Sequence, residues 1–279
     1  MKEFLARIAC FFIPFKKLRK KIRMRAFIGV SKDEFDHRMM NWICENFTAF
    51  GRFAEESPLS GKTYCRDYYL QGSEFTFYDG FLSTVIGVVG YEINESPEYD
   101  FHRITFKKGD VVVDIGGNIG MVSILLAKKY PFLKIYAYEP VKANYENFLR
   151  NIKANGIPEG TITVENKAVT ADGRPVGMHV RPSDMAYCTM TSSESDEATE
   201  KATSMTLADI FKKHKIEKLK LLKIDCEGAE YEILEAADDK LLTKIEYLRG
   251  EFHGRVRDIK KLIKYCKAHI PHVLVWKNC

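Results

Sequence analysis

Two short segments hold most of the side chains able to do chemistry. Asp225-Cys226-Glu227-Gly228-Ala229-Glu230 closes one apolar run, and Glu251-Phe252-His253-Gly254 closes the next. Carboxylates grouped with one imidazole can take a proton from a weakly acidic hydroxyl. They can equally present oxygen and nitrogen ligands to Mg²⁺ or Mn²⁺. His253 is the first candidate for the base, because an imidazole titrates nearest neutral pH. Asp225 is the second, and Glu251 or Asp225 could orient the ring. Glu230 reads as a first-turn helix acid favoured by the helix dipole.

A third segment indicates what these groups would act beside. Val111-Val112-Val113-Asp114-Ile115-Gly116-Gly117-Asn118-Ile119-Gly120 is a buried strand running into a glycine-rich turn. A dinucleotide site of the G-x-G-x-x-G type aims such a turn at a pyrophosphate. Here an acid, Asp114, precedes the first glycine, and a carboxylate would repel phosphate. It would attract a cationic, phosphate-free nucleoside, which favours S-adenosylmethionine (SAM) over NAD. The next strand ends at Tyr138-Glu139-Pro140, about 20 residues on, where an acid can hold ribose hydroxyls. Asp114, Gly116, Asn118, Gly120 and Glu139, with Asp225 and Glu227, are the expected cofactor contacts. Carboxylates beside a sulfonium already have an electrostatic reason to be there, so a metal ion is not favoured.

These residues need a scaffold that gathers strand ends. From residue 110 onward strand and helix patterns alternate, as in a parallel α/β sheet covered on both faces. Ligands in such sheets sit beyond the carboxyl ends of the strands, at the switch in strand order. A helix carrying Tyr145, Phe148, Leu149 and Ile152 is expected to stop at Asn155-Gly156, and a strand covers Ile162–Glu165. Residues 189–200, rich in Ser, Thr, Glu and Asp, read as a loop. Further strands are expected at Leu221–Ile224, Ile245–Phe252 and Val273–Trp276. Upstream, Ser31 and Glu34 form a capping box for a helix over 31–50. Phe75–Tyr78, Asp79-Gly80 and Phe81–Val89 read as a hairpin, and Ser96-Pro97 starts a short helix before Gly109. The organisation is thus 1–30, 31–108 as a flanking helix and hairpin, and 109–279 as the main domain.

The chain of 279 residues is 46% hydrophobic, ample for one large core. Seven cysteines without a C-x-x-C pair point to reduced thiols in the cytoplasm rather than a disulfide framework. No apolar run is long enough to span a bilayer, and no secretory leader is expected. The net charge of +5 is uneven: residues 1–30 hold nine Lys/Arg and one acid. Phe4, Ile8, Phe11, Phe15, Leu18 and Ile22 share one helical face there, among Lys16, Lys17, Arg19, Lys20, Lys21, Arg23 and Arg25. Such a segment suits an anionic membrane surface, or docking on the protein's own core. Nucleic acid is not favoured, for want of a further basic patch.

Taken together, Gly109–Gly120, Tyr138-Glu139-Pro140, Asn166-Lys167-Ala168-Val169 and Leu222–Glu230 resemble the FkbM-type SAM-dependent methyltransferases of the class I fold. The resemblance implies a Rossmann-like, mostly parallel sheet of seven strands with helices on both faces, plus an N-terminal helical and hairpin extension. It implies SAM at the Asp114–Gly120 turn and at Glu139, with Glu92 approaching from the N-terminal region and Asn166 to Ala168 along the adenine. It also implies O-methylation of hydroxyls on sugars, polyketides or other secondary metabolites. The basic tail is similar to the N-termini of surface-glycan assembly enzymes. The leading expectation is therefore O-methylation of a sugar hydroxyl in a cell-surface glycan or its precursor, in the cytoplasm or at the inner face of the membrane. An RNA or protein methyltransferase anchored by the tail, and a non-catalytic SAM-binding protein, are the alternatives.

Overall fold

A computed structural model describes residues 63–278, apart from 71–72, 81–82, 84, 96–98, 181–188 and 193–198. All belong to one unit spanning Pro58–Cys279. The basic segment and the helix expected over 31–50 lie outside the described residues.

The hairpin forms one strand earlier than the sequence reading placed it. β1 (Thr63–Leu70) pairs antiparallel with β2 (Ser73–Gly80), and α1 (Val85–Glu95) follows where a second strand was expected. Asp79-Gly80 closes β2 and is not a hairpin turn. The buried Asp79 carboxylate accepts from the Gly80 N–H at 2.7 Å and is bonded by Ser83 and the Ile86 N–H. Ser83 Oγ in turn accepts from the Val85 N–H at 3.3 Å. The bonds from the Val85 and Ile86 N–H groups occupy donors that the start of α1 leaves orphaned. Of the short helix expected before Gly109, the described residues show only a 3₁₀ turn, Phe101–Arg103, entered through Asp100 at φ 40°.

From Val111 the chain alternates through β3 (Val111–Ile115), α2 (Met121–Lys129), β4 (Lys134–Tyr138), α3 (Lys142–Ala154) and β5 (Ile162–Glu165). Short strands follow: β6 (Ala168–Val169), β7 (Val176–His179), β8 (Thr189–Ser192), β9 (Glu200–Ala202) and β10 (Ser204–Met205). The segment read as a loop over 189–200 thus contributes strands to a small antiparallel sheet, β8-β7-β9. Then come α4 (Leu207–Lys213), β11 (Leu219–Ile224), α5 (Glu230–Ala236), α6 (Asp239–Leu242), β12 (Ile245–His253), α7 (Val256–His269) and β13 (His272–Asn278).

The central sheet has the order β13-β12-β11-β3-β4-β5, with every neighbouring pair parallel. Six strands are described where the resemblance implies seven, and β13 pairs directly with β12, without an intervening strand. The crossover through α7 brings the chain back parallel. The Val111–Ile115 run behaves as a strand covered on both faces. Val112 joins one buried cluster with Ile124, Leu125 and Phe148, while Val113 joins the other with Leu222, Ile233 and Ile259. Strand order reverses between β3 and β11, which opens a crevice at their carboxyl ends. No helix among the described residues is long and apolar enough to cross a membrane.

Asparagines tie the flanking hairpin to this sheet domain. On α3 the expected apolar stripe is only partly internal: Phe148 is buried, but Leu149 is 43% exposed. Asn151 Oδ1 accepts from the Tyr78 N–H at 2.6 Å, and its Nδ2 donates to the Tyr78 carbonyl at 3.1 Å. Asn155 makes the same pair of bonds with Thr76. Two side chains one helical turn apart thereby satisfy the backbone of β2. Phe75 and Phe77 of that strand share a buried cluster with Val112 and Ile119.

Candidate active site

The crevice is walled by the turn after β3, the end of β4, the ends of β11 and β12, and α1. Gly116, Asn118, Glu139, Ala168, Asp225, Glu227, Glu251 and Glu92 all line it. The glycines earn their place through protein packing. Gly116 adopts φ 76°, and a Cβ there would run into the Asp225 carbonyl oxygen. Gly120 caps α2 at φ 90° and does not line the crevice; a Cβ there would enter the Phe148 ring. The expectation that both glycines admit a ligand is thus corrected for Gly120.

Asp114 is corrected as well. Period-two alternation puts it on the face of Val112, beneath α2, and its carboxylate is wholly buried. Ser123 donates to Asp114 Oδ2 at 2.6 Å. The opposite position on β11 is Lys223, whose Nζ lies 3.2 Å from Asp114 Oδ1 and donates to the Gly116 carbonyl at 2.7 Å. Burial works against the lysine's charge, but Asp114 and Asp225 outweigh it and hold its pKa above the ordinary value. Asp114 therefore steadies the glycine turn through Lys223 and does not face the crevice. Sequence reasoning passed over Lys223 because it assumed nothing about strand register.

Glu139 does face the crevice. Its carboxylate accepts from the Asn118 N–H at 2.8 Å and the Val141 N–H at 2.9 Å. Burial raises its pKa to about 7, although those bonds pull it back. Asn118 reaches that position through a left-handed φ of 48°. Asn166 is not among the residues that line the crevice: its Nδ2 donates to the carbonyls of Glu139 and Pro140, at 2.9 and 2.8 Å, and holds that corner from behind. Ala168 does line the crevice.

The acid cluster gathers as expected at the ends of β11 and β12, with different roles. Extension stops at Ile224, and Glu227 sits at φ 55°, so simple alternation does not carry its side chain. Tyr99, which sequence reasoning missed, donates to Asp225 Oδ2 at 3.0 Å from the N-terminal flank. His253 lies behind the lining. Its Nδ1 is 3.1 Å from Glu230 Oε1, and its Nε2 is 3.3 Å from Glu227 and 3.7 Å from Glu251. Glu230 is fully buried and also accepts from the N–H groups of Cys226 and Gly228. The ring is thus oriented by Glu230, not by Glu251 or Asp225. Burial opposes charge on His253, but Glu230 and Glu227 outweigh it and raise its pKa to about 9. His253 is thus set back from the crevice lining, and its raised pKa works against it as the direct base. Glu227 is at the wall instead, and burial lifts its carboxyl to about 8 despite the pull of His253. The thiols of Cys226 and Cys266 are free and pushed upward by burial, which makes them poor nucleophiles.

A parallel sheet with a glycine turn, a buried acid at the end of the next strand and an acid-walled crevice at its switch point defines an α/β protein of the Rossmann-like methyltransferase type. Residues 71–269 match the methyltransferase FkbM domain, and the chain belongs to that family. It is 25% identical over 46% of its length to methyltransferase sdnD of Sordaria araneosa. It is 23% identical over 60% of its length to 31-O-demethyl-FK506 methyltransferase FkbM of Streptomyces tacrolimicus, covering 75% of that protein. The chain spans about three fifths of sdnD, with 61% of that protein covered. Among solved structures, the 16S rRNA methyltransferase RsmC of T. thermophilus, in complex with AdoMet and guanosine, aligns over 60% of this chain and 33% of its own. That alignment has 13% identity and a TM-score of 0.28.

Proposed function

We propose that the protein is a SAM-dependent O-methyltransferase acting on a sugar hydroxyl of a cell-surface glycan or its precursor. The observation that carries this reading is the convergence of Glu139 with Asp225, Glu227 and Glu251 on one crevice that offers carboxylates where a phosphate would need cations. The donors present fit SAM. Glu139 suits the ribose hydroxyls, and the Gly116–Asn118 backbone gives close approach. Asp225 and Glu92 suit the ammonium.

When bound, SAM supplies a methyl whose C–S bond breaks as the O–C bond forms, leaving a neutral thioether. The chain's own part is alignment, exclusion of water and removal of the hydroxyl proton. Glu227 takes that proton at the crevice wall. His253 holds Glu227 in place, and Glu230 holds His253. O-methylation of a hydroxyl is also what the name of the Streptomyces relative describes for that protein. A sugar acceptor is supported by the tail's similarity to glycan-assembly enzymes. Residues 1–25 would then attach the protein to the anionic inner face of the membrane, supported by the one-sided aromatic pattern among their cations.

Calorimetry with SAM tests the first step, and transfer of labelled methyl to a panel of nucleotide sugars and purified glycans tests the second. Binding of SAM with labelling of a sugar is the expected result; labelling of RNA or protein alone would refute the acceptor class. Deleting residues 1–25 should abolish liposome binding and leave SAM affinity intact.

A further inference from the structure

One phenol on the crevice wall comes from outside the central sheet. Tyr99 lines the crevice, is 3% exposed, and donates to Asp225 Oδ2 at 3.0 Å, across 126 positions of sequence. Its ring is held from the side: Phe101 stacks on it with centroids 5.2 Å apart and planes 10° from parallel. The turn between the two rings is fastened as well, because Asp100, at φ 40°, lies 3.1 Å from Arg103 and 3.0 Å from His102. Burial, with the nearby charges of Asp225 and Glu92, pushes the Tyr99 hydroxyl well above its ordinary pKa, so it stays a donor. Lys223 Nζ approaches the same carboxylate oxygen, Asp225 Oδ2, at 4.0 Å. Both protonated groups therefore stand on one side of Asp225. No hydrogen bond among the described residues reaches its Oδ1, and Asp225 lines the crevice.

We infer that Tyr99 is a positioning residue for the methyl donor: its hydroxyl fastens Asp225 Oδ2 and so presents Oδ1 to the ammonium of SAM. This deepens the methyltransferase reading and rests on it. An aspartate free to turn about its side-chain bonds loses that freedom when it grips a ligand, which weakens binding. A carboxylate already held by a phenol gives up the freedom on folding instead, so affinity rises without a new contact to the ligand. The bond is to a charged acceptor, which makes it one of the stronger kind. Ring and hydroxyl have separable parts. The ring packs the N-terminal flank against Phe101, and the hydroxyl alone sets the aspartate.

The test is calorimetry on the full chain with SAM, with S-adenosylhomocysteine, which keeps the ammonium, and with 5′-methylthioadenosine, which lacks it. Tyr99→Phe preserves the ring and its stacking and removes the hydroxyl. It should weaken SAM and S-adenosylhomocysteine by about tenfold, as for one lost hydrogen bond to a charged group, and leave 5′-methylthioadenosine unchanged. Asp225→Asn, which removes the charge from the other side, should show the same selective loss. Melting curves report whether each variant is folded. Equal weakening of all these nucleosides in Tyr99→Phe would make the tyrosine a packing residue only and overturn the positioning role. Unchanged SAM affinity in either folded variant overturns it too, while the methyltransferase reading stands. Wild-type protein that binds none of them overturns both.

Discussion

Lys223 and Asp114 face each other across β11 and β3, with Nζ 3.2 Å from Oδ1 and both side chains buried. A charge pair in such a place is costly to break from one side, because the survivor is left uncompensated. Lys223→Met should therefore destabilise the fold by roughly 3 kcal/mol or more. The double change with Asp114→Asn should recover much of that loss. Urea unfolding of the two singles and the double forms the cycle that measures it. Equal losses in the single and the double variant would disprove the coupling.

Glu230 should matter to more than stability. Glu230→Gln keeps the shape and removes the charge that His253 faces, so the histidine's pKa should fall from about 9 toward its ordinary value. Its ring protons followed by NMR against pH report this directly. The folded pKa of His253 is raised, so its stabilisation is full below about 6.5 and is lost as pH rises through about 9. Glu230 is lowered by the same contact, so its share is present above about 4.5 and disappears as pH falls. Unfolding free energy should thus hold up between those limits, and the variant should lose the dependence on the alkaline side.

Glu227 at the wall with a pKa near 8 makes turnover rise with pH. As the base it works only when ionised, so kcat/KM should climb through about 8 and level off above it. Glu227→Gln should lower kcat by about 100-fold or more and flatten that limb. An unchanged profile in the variant would assign proton removal elsewhere.

Glu139 should tie SAM affinity to pH. Its carboxyl is lifted to about 7 by burial, and only the carboxylate accepts from both ribose hydroxyls. Affinity should strengthen as pH rises through 7. Glu139→Gln should weaken binding by about tenfold, as expected for one lost hydrogen bond to a charged group, and remove the dependence. The raised pKa also means the folded state holds this proton more firmly, so its contribution to stability is full below about 4.5 and is lost as pH rises through 7. Calorimetry at several pH values, with melting curves alongside, reads both effects.

Much of this was legible in the residues alone. The V-V-V run requires a strand covered on both faces, and strand–helix alternation requires parallel crossovers. Once the sheet is parallel, Glu139, Asp225, Glu227 and Glu251 must meet at one end because all lie at or just past the carboxyl ends of their strands. These are local or topological facts, set by the period of apolar residues and the handedness of the chain.

The tertiary structure decided which neighbour each charge answers to. Register places Lys223 opposite Asp114 and draws that acid away from the crevice. The asparagines of α3 reach 73 and 79 positions back to hold β2, where the pattern showed only an apolar stripe. Glu230, unremarkable at the first turn of a helix, becomes the partner that orients His253 and sets it behind Glu227. Such pairings depend on distances of about 3 Å between strands and loops remote in sequence, and on how burial weighs each charge. Spacing along a chain does not encode either quantity.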